Sequence, residues 1–313
     1  MILAPASHKT FSIRDYDLDA TLKSGQAFRW NFQDGGWHGV IANRRVRLCA
    51  DEVSITAETT EPGNDWKWLT DYLQLDLDLS KVIATFPDDE PMRAAVNACR
   101  GLRLLRQEPW ECLASFILSS TKQIVQIRQI VSLLCERFGE PLTPNLVAAD
   151  VRRLHLNSVE VEPPYVGCYG SGANDLPHSF PTPERIAAAG EAELRACKMG
   201  FRAPHLLNAA RQIAEGKLDL ERLRQLSCAE AREELMKLRG VGGKIADCVL
   251  LFAYGFDGAF PVDVWVERAL QRLYFPRRRA SDKRLRRFAA THFGPHAGYA
   301  QQYLFHYMRT KMK

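Results

Sequence analysis

The stretch Ser227-Cys-Ala-Glu-Ala-Arg-Glu-Glu-Leu-Met-Lys-Leu-Arg-Gly-Val-Gly-Gly-Lys-Ile-Ala-Asp-Cys-Val-Leu-Leu-Phe-Ala253 reads as two helices joined by a glycine-rich turn. Ser227 and Glu230 make a capping box for the first helix, which ends where Arg239-Gly240-Val241-Gly242-Gly243 begins. The second helix is expected to start at Gly243 or Lys244. Glycines at 240, 242 and 243 permit positive φ and a close backbone approach, so amides at the new helix start can point outward together and hold an anion. The same pattern also suits a plain tight turn between helices. Lys244 is the discriminating residue. The positive end of a helix dipole disfavours an ammonium and partial burial acts the same way, so its pKa is expected to fall and leave a nucleophilic amine. Further on, Gly258-Ala-Phe-Pro-Val-Asp263 forms a Gly/Pro loop whose aspartate can cap a helix from Val264 to Leu273. The plainer alternative leaves Lys244 as a solvent-facing contact and Asp263 as a simple cap.

Outward from this segment the chain divides by period. From about residue 10 to 60, Phe28 and Trp30, Trp37 to Ile41, and Val46, Leu48, Val53 and Ile55 nearly alternate. Breaks at Asp34-Gly35-Gly36 and Asp51-Glu52 predict short antiparallel strands. From Asn64 onward the spacing becomes helical: Trp66, Leu69 and Leu73; Leu113, Phe116 and Ile117; Ile124, Ile127, Val131 and Leu134. Pro109 fits a first helical turn, and Gly139 ends the longer helix. Residues 158–183, rich in glycine and proline, read as an ordered loop or insertion. The fold class is therefore α+β, with a small antiparallel β-rich N-terminal domain over 1–100 packed on a mostly helical domain over 101–313.

With 313 residues, 46% hydrophobic and 25% charged, the chain has the make-up of a soluble globular protein. It shows no apolar run near the roughly 18–20 residues of a membrane helix. The N-terminus has no basic segment followed by an apolar one, so an intracellular location is expected. The 8 cysteines contain no CxxC pair, which argues for reduced thiols rather than disulfides or zinc. No metal ligand set for catalysis is visible. The net charge of +5 is mild. Its distribution is not, since Arg272, Arg277, Arg278, Arg279, Lys283, Arg284, Arg286 and Arg287 stand against Asp282 alone, whereas acids crowd 71–90. One face turned to phosphates fits this asymmetry, as does a solvated basic helix.

Leu238-x-Gly-Val-Gly-x-Lys244 with the following Gly/Pro loop and Asp263 resembles the helix-hairpin-helix superfamily of DNA glycosylases. Four further blocks are similar to the eukaryotic-type 8-oxoguanine DNA glycosylase family: Ser24-Gly-Gln-Ala-Phe-Arg-Trp30, Gly101 to Ser120, Met199-Gly-Phe-Arg-Ala203, and Gly294 to Phe305. Residues 140–177 have no evident counterpart. The resemblance implies a glycosylase that extrudes an oxidised purine from duplex DNA, with Lys244 attacking C1′ to form a Schiff base that permits β-elimination. Asp263 would stabilise positive charge at C1′ and help move protons. Val241 would plug the two helices while Gly240, Gly242 and Gly243 hold a phosphate. Gly25 would accept N7–H of 8-oxoguanine, Gln301 would read the Watson–Crick edge, and Phe305 and Cys248 would border the two faces of the base. Phe201 would fill the emptied stack and Arg202 reach the orphaned cytosine. Taken alone, Phe201 and Phe305 also read as core aromatics.

This chain departs from the family at two places. Thr121 and Lys122, expected to lie on the DNA, and then Gln123 to Gln126 replace the asparagines and arginine that engage the opposite cytosine. Trp265 replaces a phosphate-binding histidine and can stack or pack there. The iron-sulfur cluster of another branch of the superfamily cannot be built, because no cysteine follows Cys248. No cofactor is expected, although a monovalent cation fits between hairpin carbonyls and phosphate. A monomer acting on lesion-bearing duplex DNA is the expected form. Two alternatives stay open: a helix-hairpin-helix protein that binds DNA without catalysis, and a glycosylase for another damaged purine.

Overall fold

The computed structural model describes residues 7–60, 65–142, 177–277 and 279–310. The expected glycine- and proline-rich loop lies outside these residues up to position 176.

Strands β1 (Ser7–Ser12), β2 (Asn31–Gln33), β3 (Gly36–Ile41), β4 (Arg44–Ala50) and β5 (Ser54–Thr59) form one antiparallel sheet in the order β1-β5-β4-β3-β2. The β3–β4 register pairs Trp37 with Leu48 and Gly39 with Val46. Alternation thus sends Trp37, Ile41, Val46, Leu48, Ile55 and Ala57 to one face, where helices α1 (Leu18–Lys23) and α2 (Lys67–Leu73) cover them. Tight turns join β2 to β3 and β3 to β4. Asp34-Gly35 and Ala42-Asn43 both have positive φ, as two-residue hairpins demand, and the second carries no glycine to announce it. Phe28 and Trp30 are not on a strand as expected. They lie in the irregular segment before β2, because Gly25 at φ +81 turns the chain there. Trp30 is nonetheless wholly buried, donating its indole N–H to the Tyr72 hydroxyl at 2.8 Å.

The remaining helices form the larger core: α3 (Leu79–Ile83), α4 (Glu90–Ala98), α5 (Pro109–Leu118), α6 (Ile124–Phe138), α7 (Pro183–Ala188), α8 (Glu191–Leu194), α9 (Ala203–Ala214), α10 (Cys228–Met236), α11 (Gly243–Val249), α12 (Val264–Tyr274), α13 (Asp282–His292) and α14 (Ala297–Thr310). Pro109 opens α5 and Gly139 caps α6, as read from the sequence. Every position of α5 except Glu111 is buried, so α5 runs through the middle of this core. Each such Leu, Ile or Phe contributes roughly 1.5–3 kcal/mol.

Between the two cores runs the extended segment 102–107. Leu102 and Leu104 face the helical core and Leu105 the sheet core, an alternation without a strand partner. Side chains replace the missing ladder. Gln26 accepts from Leu105 N–H at 2.7 Å and donates to the Arg103 carbonyl at 2.8 Å, and Gln107 donates to the Gln26 carbonyl at 2.7 Å. Loop 23–27 is hung on this septum and on α14, which fixes where its backbone points.

Candidate active site

The hairpin is as the sequence predicts in outline. Ser227 and Glu230 exchange hydrogen bonds at the start of α10, and α11 begins at Gly243 with Gly242 as its cap. Val241 is buried between the helices. The three glycines do different work, however, and only Gly240 adopts positive φ, at +87. A Cβ there would also strike the His205 ring from α9. Gly243 is helical, and a Cβ on it would meet the guanidinium of Arg232, which pairs with Asp247 at 2.7 Å and ties α10 to α11. Gly242 is extended at φ −96 with nothing within 4 Å of its missing side chain. No side chain caps α11 among the described residues, so its first amides face an open, exposed turn where an anion can approach.

Lys244 follows in the first turn of α11. Its Nζ donates to Ser119 Oγ at 3.2 Å and lies 5.5 Å from the Phe116 ring centroid, so its stem crosses the end of α5. Ser119 spends its own proton on the Phe116 carbonyl at 2.8 Å, which leaves its lone pairs to orient the amine. Asp263 caps α12. Its Oδ1 accepts from Trp265 N–H at 3.0 Å and Val266 N–H at 2.8 Å. Burial pushes this carboxyl above its ordinary range, opposed by the Val266 amide, the nearby Lys244 charge and the Trp265 amide. Cys248, one turn along α11 from Lys244, feels both charges. Burial raises its thiol to about 12, so it is a neutral apolar wall and not a nucleophile. Lys244 and Asp263 are thus brought within electrostatic reach across buried Cys248.

The residues expected to border the base come from elsewhere in the chain. Gly25, at φ +81, is presented by a loop that α14 grips twice, through Gln302 Nε2 to the Ser24 carbonyl at 3.1 Å and through Arg309 to the Lys23 carbonyl. Gln301 is 4% exposed, and its Oε1 is buried with no hydrogen-bond partner among the described residues. An unmet acceptor at that depth is costly unless something else fills it, and a base edge bearing donors would do so. Phe305, one turn on, is half-buried beneath the Arg309 guanidinium.

Phe201 projects at 55% exposure from a turn in which Lys198 and Gly200 both have positive φ. It contacts His205, the ring that underlies Gly240, so hairpin and aromatic share one support. Arg202 does not project as expected. It is 3% exposed and donates to the carbonyls of Ser120 and Met199 and to Thr121 Oγ1. In the free chain it holds the α5–α6 turn, where Thr121 stands at φ +57. Thr121 is exposed and Lys122 half-buried, its amide bonded back to the Ser119 carbonyl at 3.2 Å. Trp265 packs against the Arg268 guanidinium at 5.3 Å.

Sequence reasoning missed the supports: Ser119 for the amine, Gln26 and Gln302 for the Gly25 loop, and His205 beneath the hairpin. Each acts on a residue distant in the chain, and only membership of the Ser24-Gly-Gln and Gln301-Gln302 blocks hinted at two of them. Exposed Arg286 of α13 is near enough to lower the Asp247 carboxyl that burial raises. Among the described residues no His, Cys, Asp and Glu cluster is arranged as a metal site, and no helix is long and apolar enough to cross a membrane.

Residues 10–113 match the family model of the 8-oxoguanine DNA glycosylase N-terminal domain. Residues 114–295 match that of HhH-GPD superfamily base excision DNA repair proteins. A probable N-glycosylase/DNA lyase of Methanothermobacter thermautotrophicus is 28% identical over 95% of both chains. Among solved structures, MBOgg1 in complex with a low-affinity DNA ligand is 31% identical, with a TM-score of 0.84 over 98% of this chain and 96% of that one. The Clostridium acetobutylicum 8-oxoguanine glycosylase/lyase, bound to double-stranded DNA with cytosine opposite the lesion, is 28% identical, with a TM-score of 0.81 over 97% and 99%.

Proposed function

The chain belongs to the HhH-GPD superfamily of base excision DNA repair proteins, and from that premise we propose that it excises 8-oxoguanine from duplex DNA and then cuts the strand as a lyase. The observation that carries this is the Lys244 amine, oriented by Ser119 and within electrostatic reach of the part-buried Asp263 carboxylate, whose Oδ1 caps α12.

The damaged nucleotide must leave the stack, since its C1′ is shielded within the duplex. Open Gly242 and the first amides of α11 hold a phosphate without reading sequence. Gly25 accepts N7–H of the lesion, where guanine would present a lone pair and repel it. Gln301 satisfies its buried oxygen on the Watson–Crick edge, with Phe305 and Cys248 on the two faces. As the bond from C1′ to N9 breaks, the base departs with its electron pair and Asp263 stabilises the positive charge left on the sugar. The free amine of Lys244 bonds to C1′, loses its proton, and becomes an iminium once the ring opens. Loss of a C2′ proton then expels the 3′ phosphate, and water frees the lysine. Phe201 fills the vacated space. Arg202 reaches the orphaned base only by giving up its bonds to the α5–α6 turn.

The reading asks for one chain acting inside the cell on DNA, and no redox cofactor. The ion it admits is a monovalent cation between hairpin carbonyls and phosphate, shielding charge and taking no part in the chemistry. Borohydride reduction on a duplex bearing 8-oxoguanine tests it. The parent protein should be trapped covalently and Lys244→Gln should not. A parent that binds the duplex yet is never trapped would leave only DNA binding.

A further inference from the structure

Arg309, which grips the Gly25 loop through the Lys23 carbonyl, also stands beside Gly25 and Phe305. Its guanidinium carbon stands 5.4 Å from the Phe305 ring centroid, one turn back on α14. One terminal nitrogen donates to the Lys23 carbonyl, and the other lies 3.7 Å from where a Cβ on Gly25 would stand. The Nε–H is buried with no acceptor among the described residues. Burial and the neighbouring Arg128 lower the guanidinium pKa, and the Asp263 charge raises it. A planar donor fork, partly unsatisfied, thus sits next to the one carbonyl expected to meet the imidazole edge of the base.

That edge differs between lesion and guanine at two atoms. In 8-oxoguanine N7 carries a hydrogen and C8 an oxygen, a donor beside an acceptor. In guanine N7 is an acceptor and C8 carries a hydrogen. Gly25 answers the first atom alone. We propose that Arg309 donates to O8 and reads the second, an inference that rests on the functional reading above. Carbonyl and guanidinium together then match the lesion's local dipole, and guanine offers the guanidinium nothing at C8.

Two single-turnover rates on the full chain test this: release of 8-oxoguanine from duplex, and β-elimination at a preformed abasic site that offers no base to read. Arg309→Met keeps the packing over Phe305 and should lose roughly ten- to a hundred-fold in base release, the worth of a hydrogen bond from a charged donor. Its abasic-site rate should stay within about twofold of the parent. Arg309→Lys keeps charge without the fork and should fall between; it is read by the same ratio if the Met variant does not fold. Equal losses in both assays would assign Arg309 to the chemistry at C1′ and overturn the inference, as would no loss in either. A parent that eliminates at abasic sites but releases no 8-oxoguanine would defeat the functional reading instead.

Discussion

The hairpin and the proposed base site are made in opposite ways. Most of what shapes the hairpin lies between Ser227 and Val249: the capping box, the Gly240 turn and the Arg232–Asp247 pair, with His205 and Ser119 arriving from outside. The pocket joins Gly25 to Gln302 and Arg309 across most of the chain. Their two carboxylates, Asp247 and Asp263, show the same division. Burial raises both Asp247 and Asp263, yet Asp247 has a guanidinium at 2.7 Å while Asp263 has two backbone amides on a single oxygen. A carboxylate paired with a fixed guanidinium holds two helices together; one held by backbone amides can meet charge that appears only during reaction. The proposed phosphate grip is thus built locally, and the proposed base site by long-range assembly.

Lys244→Gln attacks the point where the two regions join and should have the largest effect. Covalent trapping should vanish and strand cleavage fall by roughly a thousandfold or more, while duplex binding measured by fluorescence anisotropy survives. Strong loss of binding would mean that Lys244 belongs to the phosphate grip alone.

Asp263→Asn should lower excision by roughly 10²–10⁴-fold and leave thermal stability unchanged or raised. Asparagine still caps α12, and the buried charge is gone. The sign follows from the raised pKa. The folded chain favours the protonated carboxyl, so ionised Asp263 opposes folding fully above its raised pKa, and that cost fades as pH falls through it. Because chemistry needs the ionised form, the acid limb of kcat/KM should fall at a pH above the ordinary aspartate value of 3.8. A limb at or below that value would remove Asp263 from its role.

Gly25→Ala should separate base recognition from chemistry. Positive φ costs a side chain on the order of 1–3 kcal/mol, and the new Cβ would sit 2.6 Å from Ile124 Cδ1, which must turn aside. Release of 8-oxoguanine should drop roughly tenfold or more with a smaller change at abasic sites. The smallest effect should come from Gly242→Ala. Its φ of −96 suits any residue and the space is empty, so melting temperature should hold while DNA affinity weakens a few-fold, roughly alike for lesion and undamaged duplex. Gly240→Ala should do the reverse, losing stability through strain and the His205 clash. If the two glycine variants behaved alike, the hairpin's division of labour would be wrong.

The sequence by itself determined whatever depends on near neighbours: the capping box at Ser227, the glycine turn, the lysine at a helix start, Asp263 as a cap, and a sheet announced by alternation. These rest on contacts a few residues apart, which side-chain spacing states directly. Tertiary structure alone decided that Phe28 and Trp30 precede a strand, that Ala42-Asn43 makes a hairpin turn, and that Arg202 is buried against Ser120. It alone brought Ser119 to Lys244, and Gln302 and Arg309 to the Gly25 loop. No local pattern encodes such meetings, because a buried polar atom takes whichever partner the packed core brings within reach, however far away in the chain that partner lies.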